Sequence, residues 1–181
     1  MKETKSTVLL NHHLKALRLP SMQRESQKIA ARCAKENVDH LGFLLEMTEL
    51  ELLERERNAS VRRLKAAKFP SPKTLDNFDF KAQTSINKSL VTELMRCTYM
   101  DQRENILLVG NPGTGKTHLA IALGMAACAR GKKVRFWRTT ELITQLMEAR
   151  DQHVLAKLKL QLSKLDLLIL DELGYVPASK L

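Results

Sequence analysis

The sequence predicts a three-layer α/β domain on a parallel sheet, preceded by an all-helical region. Two uncharged runs, Ile106-Leu107-Leu108-Val109 and Leu167-Leu168-Ile169-Leu170, have the character of parallel strands covered on both faces. Helical patterns lie between these runs, so the connections are right-handed crossovers. Ahead of Phe69 every apolar period is helical.

In chain order, a short helix over Val8 to Leu17 stops near Pro20. His12 and His13 on it are adjacent and cannot face the same way, which makes them surface residues and not a metal pair. Ser21 offers a cap for a second helix ending near Glu36. Asp39 caps a longer third helix from His40 to Lys68, with Leu41, Leu44, Leu45 and Leu52 on one face. Phe43, Met47, Leu50 and Leu53 crowd its other sides, so its first half is expected to be buried against neighbours or a partner chain. Its second half is basic, with Arg55, Arg57, Arg62, Arg63, Lys65 and Lys68, and is the best local candidate for a DNA backbone contact. Pro70 and Pro72 end the helix and mark a domain boundary. The organisation is thus a helical region over residues 1–69, a linker with a helix from Thr84 to Cys97 over 70–104, and a core over 105–181.

Gly110-Asn111-Pro112-Gly113-Thr114-Gly115-Lys116-Thr117 stands between the apolar run ending at Val109 and a helical pattern from His118 to Arg130. It fits the phosphate-loop pattern G-x-x-x-x-G-K-[ST] in the strand, loop, helix setting that pattern requires. Glycines let backbone N–H groups close on a polyphosphate, Lys116 reaches the β- and γ-phosphates, and the Thr117 hydroxyl holds Mg²⁺. The N-terminus of the following helix adds unpaired N–H groups. Gly110, Asn111, Pro112, Gly113, Thr114, Gly115, Lys116, Thr117 and His118 are therefore the candidate nucleotide-binding residues. Ala120, Ala122, Gly124, Ala126 and Ala127 then let this helix pack closely on a sheet.

Val134-Arg135-Phe136-Trp137 carries a charge and suits a strand nearer the sheet's edge. Helices over Glu141 to Arg150 and His153 to Leu165 lead to the last strand, which runs into Asp171 and Glu172. Ligands collect at the carboxyl ends of parallel strands, so these carboxylates belong beside the phosphate loop. Asp171 is placed to hold Mg²⁺ with Thr117, and Glu172 to polarise a water for attack on the γ-phosphate of ATP. Catalysis thus rests on Glu172 and Lys116. A glutamate beside the Mg²⁺ aspartate suits water as acceptor, and the substrate pocket and arginine-bearing lid of a small-molecule kinase have no signature here.

Composition narrows the class. The 181 residues are 44% hydrophobic and 28% charged, as in a folded domain with an appendage. A net charge of +10 favours an anionic partner, while 4% aromatic content argues against a base-stacking surface. Cys33, Cys97 and Cys128 form no C-x-x-C pair, so no disulfide framework or zinc site is indicated. No apolar run is long enough for a bilayer, and a cytoplasmic location is expected.

GNPGTGKTHLA and LLILDELGYVPASK, preceded by TLDNFDF, resemble the IstB family of insertion-sequence ATP-binding proteins, relatives of the helicase loader DnaC within the AAA+ ATPases. The resemblance runs from the N-terminal helices to the last residue. It implies an AAA+-like P-loop core, a partner-contacting helical region, homo-oligomeric assembly on double-stranded DNA, and delivery of target DNA to a cognate transposase. A replicative helicase loader is the alternative, and a DNA-binding fragment with a vestigial loop is a third reading. The stretch Phe78-Asp79-Phe80 falls where adenine-side contacts are made in the family, or else anchors the domain. The family's sheet has spatial order 5-1-4-3-2, of which this chain supplies strands 1, 2 and 3. The core is therefore expected to be incomplete at its C-terminus, with the strands ending at Val109 and Leu170 either unpaired or forced together. A truncated or partial product is expected, one that binds ATP but hydrolyses it poorly.

Overall fold

The computed structural model describes residues 5–175. The chain divides into two compact units, residues 1–59 and 60–181. The division falls ahead of the proline segment expected as a boundary, because the last turns of the third helix belong to the core of the second unit: Ala67 is fully buried there and Leu64 and Phe69 pack beside it.

The first unit contains α1 (Lys5–Ala16), α2 (Pro20–Glu36) and most of α3 (His40–Ala67). Pro20 takes the first turn of α2, where its missing N–H costs nothing. Ser21 does not cap this helix. Instead Glu51 of α3 accepts the Ser21 and Met22 N–H groups at 2.9 and 3.2 Å. Asp39 does cap α3, accepting the Gly42 N–H at 2.8 Å.

A small core joins Ile29 and Cys33 of α2 to Met47 of α3, with Met22, Phe43 and Leu50 around it. The buried stripe of α3 therefore runs through Phe43, Met47, Leu50 and Glu51, at i, i+4, i+7 and i+8. The first half of α3, expected to be buried nearly all round against neighbours or a partner chain, is covered by the described residues of this chain on one stripe, while Leu41, Leu44, Leu45, Leu52 and Leu53 are exposed. Helical spacing alone does not distinguish the two apolar stripes. The deciding contact is polar, since Glu51 must face the start of α2.

The second unit carries the sheet. After a 3₁₀ turn at Leu75–Asn77 come α4 (Lys88–Leu94) and α5 (Thr98–Asp101), in place of the single helix expected from Thr84 to Cys97. Asn87 sets the later start, its side chain accepting the Leu90 N–H at 3.1 Å. Then follow α6 (Lys116–Ala129), β1 (Val134–Arg138), α7 (Thr139–Asp151), α8 (Leu155–Leu162) and β2 (Leu167–Asp171). β1 and β2 pair in parallel, with Val134 opposite Leu167 and Arg138 opposite Asp171.

α6 lies against this sheet as its small residues predict. A Cβ on Gly124 would stand 2.6 Å from the end of Ile169 on β2 and 2.9 Å from the Phe69 ring. Ile121, Ala127 and Cys128 of α6 share one core with Val134, Phe136 and Ile169. On the other face of β1, Arg135 lies 4.9 Å over the Trp137 ring and donates to the Ala66 carbonyl at 3.0 Å, which accounts for a charge inside the strand.

The run Ile106 to Val109 is the main departure from expectation. It forms no strand, and Leu107 and Val109 are 80% and 92% exposed. A parallel ladder needs neighbours about 4.8 Å apart. A cavity of about 630 Å³ instead separates this run from Leu167 to Leu170. Leu168 and Leu170 are exposed in turn, so β2 is not covered on both faces. The run 106–109 and β2 are thus neither paired nor forced together, and the described sheet consists of β1 and β2. Tyr99 also lines the cavity; its buried hydroxyl has no partner among the described residues, and its pKa is pushed up to about 12 by burial, with Cys97 adding to the rise.

Candidate functional site

The phosphate-loop sequence bends back through two left-handed glycines. Gly113 has φ of 79° and Gly115, which precedes α6, has φ of 83°. Side chains rarely adopt that conformation. The loop closes on itself through the Thr114 hydroxyl, which donates to the Asn111 carbonyl at 2.9 Å. Lys116 opens α6 and folds over the loop, with Nζ donating to the Gly110 and Asn111 carbonyls at 2.8 and 2.7 Å. The Leu119 N–H is bonded to the Gly115 carbonyl at 3.0 Å, so the N–H groups of Lys116, Thr117 and His118 ahead of it have no intrahelical acceptor.

The end of β2 meets this helix start. Thr117 Oγ1 lies 3.0 and 2.9 Å from the two carboxylate oxygens of Asp171. Asp171 is held from behind, because the buried Thr139 donates its hydroxyl to the Asp171 carbonyl at 2.8 Å. Thr139 was not foreseen from sequence; the signal was its place directly after β1, where parallel register sets it beside the end of β2. Glu172 follows with φ of 61°, a left-handed conformation uncommon for glutamate, and its side chain is exposed. Gly110, Pro112, Lys116, Asp171 and Glu172 line the same cavity.

This arrangement suits a hard cation. One hydroxyl and one carboxylate supply two oxygen donors and leave most of an octahedron for water and phosphate oxygens, which is how Mg²⁺ is usually held. Among the described residues no group of three or more His, Cys, Asp and Glu could hold a metal ion by itself.

The His118 side chain points elsewhere. Its Nε2 is 2.8 Å from the Thr74 carbonyl, and its ring meets Phe78 edge to face at 5.2 Å. Phe78 is buried with Val91 and Leu119 and packs against Phe80, which makes it an anchor. In the first unit, Arg55 is bonded to Glu51 and to the Arg18 carbonyl, and Arg57 lies near Glu54. In the second, Arg63 donates to the Cys128 carbonyl at 2.8 Å, whereas Arg62, Lys65 and Lys68 are exposed. The basic run is therefore partly structural. Among the described residues no helix is long and apolar enough to cross a membrane.

A family model described as IstB-like ATP binding protein matches residues 12–181. Three relatives are each named as a putative ATP-binding protein of an insertion sequence. That of IS5376 from Geobacillus stearothermophilus is 36% identical over 167 residues, covering 92% of this chain and 66% of the relative. That of IS21 from Pseudomonas aeruginosa is also 36% identical over 167 residues, covering 92% and 63%. The protein y4iQ/y4nD/y4sD of Sinorhizobium fredii is 37% identical over 175 residues, covering 96% and 57%. The chain thus spans between 57% and 66% of the length of these relatives.

Proposed function

This chain belongs to the family of IstB-like ATP-binding proteins, and from that premise we propose that it binds ATP with Mg²⁺ as an accessory protein of insertion-sequence transposition. The observation that carries the reading is the bond between Thr117 and Asp171 directly after a loop with two left-handed glycines, with Lys116 and Asp171 lining one cavity. Lys116 exchanges its two carbonyl acceptors for β- and γ-phosphate oxygens. Amides of Gly113 through His118 line the phosphates, aided by the positive end of α6. Thr117 and Asp171 would hold the metal, which would neutralise the phosphates. Glu172 orients water towards the γ-phosphate.

The second part of the reading is nucleotide-dependent contact with double-stranded DNA, for delivery to a cognate transposase. Exposed Arg62, Lys65 and Lys68 support it as phosphate-neutralising side chains. Fluorescence anisotropy of a labelled duplex, with ATP, with ADP and with no nucleotide, tests this part. Tighter binding with ATP is expected, and identical isotherms in all three conditions would reject it.

A further inference from the structure

The segment from Thr74 to Phe80 carries only one 3₁₀ turn and joins no sheet, yet it is fixed against the phosphate loop. Two contacts hold it. His118 Nε2 lies 2.8 Å from the Thr74 carbonyl, and a carbonyl can only accept, so Nε2 carries the hydrogen. Phe78 is wedged beneath Gly115: a Cβ there would lie 2.6 Å from its Cε2 and 3.1 Å from its Cζ. The His118 ring stands edge to face with Phe78 at 81°, and Leu119, the next residue of α6, packs in the same cluster.

We propose that His118 is a positioning residue for the phosphate loop. By clamping Thr74 it keeps the Phe78 ring under Gly115, and the ring supports the left-handed turn that delivers Lys116 and Thr117 to the ligand. The imidazole itself touches no phosphate. The inference rests on the nucleotide-site reading above, and it adds a role for a side chain that faces away from that site.

His118→Phe keeps a flat ring and removes the donor, whereas His118→Gln keeps an N–H at similar reach. With a fluorescent ATP analogue and Mg²⁺, His118→Phe is expected to raise Kd by about two- to tenfold, the range set by one net hydrogen bond. His118→Gln is expected to restore most of it. Amide hydrogen exchange without nucleotide is expected to quicken over 74–80 and 113–117 in His118→Phe and return in His118→Gln. Should His118→Phe unfold, Phe78→Leu removes the support while leaving the Thr74 bond, and the same weakening is expected. A folded His118→Phe with wild-type Kd and wild-type exchange overturns the proposal, as does a Gln variant no better than Phe. If the wild type binds no nucleotide, the site reading falls, and the exchange comparison alone decides the clamp.

Discussion

Thr117 on α6 and Asp171 at the end of β2 are bonded side chain to side chain, the hydroxyl reaching both carboxylate oxygens at 2.9 and 3.0 Å. A hydroxyl has one hydrogen, so the bond is shared between two oxygens that have capacity left for a cation. Asp171→Asn keeps the shape and removes the charge. It is expected to weaken ATP binding about tenfold or more in Mg²⁺ and to change it little in EDTA. Paired titrations check this; an equal loss in both conditions would place the metal elsewhere.

The two left-handed glycines of the loop are separable by what surrounds them. A Cβ on Gly113 meets nothing within 4 Å, while one on Gly115 collides with Phe78. Gly113→Ala is expected to cost only the backbone penalty of about 1–2 kcal/mol. Gly115→Ala is expected to cost about 1–3 kcal/mol more, as overpacking does. Denaturant melts rank the two, and the reverse order would contradict the placement of Phe78.

Glu51 governs the acid behaviour of the first unit. Burial alone would raise its carboxyl, but hydrogen bonds from Arg55, Met22 and Ser21 and the Arg55 charge outweigh that and hold it below its ordinary value of 4.5. A lowered carboxyl stabilises fully above its unfolded value, and the contribution is lost as pH falls through the folded value. Glu51→Gln is expected to lose about 1–3 kcal/mol at neutral pH, with the gap to wild type closing below about pH 4. Thermal melts at a series of pH values measure it; a gap constant down to about pH 3 would refute the assignment.

Adjacent arginines on α3 are expected to part company. Arg63 donates to the Cys128 carbonyl, so Arg63→Ala is expected to cost about 1–3 kcal/mol of stability. Arg62 is exposed, and Arg62→Ala is expected to stay within about 0.5 kcal/mol. If Arg62 neutralises a DNA phosphate, its loss lowers the log–log salt slope by about 0.9. Anisotropy titrations at several salt concentrations read that slope, and an unchanged value would remove Arg62 from the DNA contact.

Much of this was legible because the signals are local. The Gly-rich loop, the Asp-Glu after an apolar strand and the small residues of α6 each follow from chemistry within a few positions, and the structure places Lys116, Thr117, Asp171 and Glu172 around one region. What stayed hidden depends on distant residues. Nothing near Ile106 says whether a neighbour will pair with it, and only the fold shows Leu107 and Val109 uncovered. Apolar residues nearly all round the first half of α3 do not say which of them meet α2; that depends on Glu51, which accepts an N–H from a helix start 30 residues earlier. His118 directly follows the loop motif, but its partner Thr74 is 44 residues away.

The most direct measurement is a calorimetric titration of ATP into the folded chain in Mg²⁺, alongside Lys116→Ala. Among the described residues Lys116 Nζ bonds two exposed carbonyls of its own loop, and its removal is expected to leave the melting curve in place. The wild type is expected to saturate, and Lys116→Ala to bind at least about tenfold more weakly with the same circular dichroism. A folded wild type that takes up no ATP, or a Lys116→Ala variant that binds it equally well, would contradict the phosphate site.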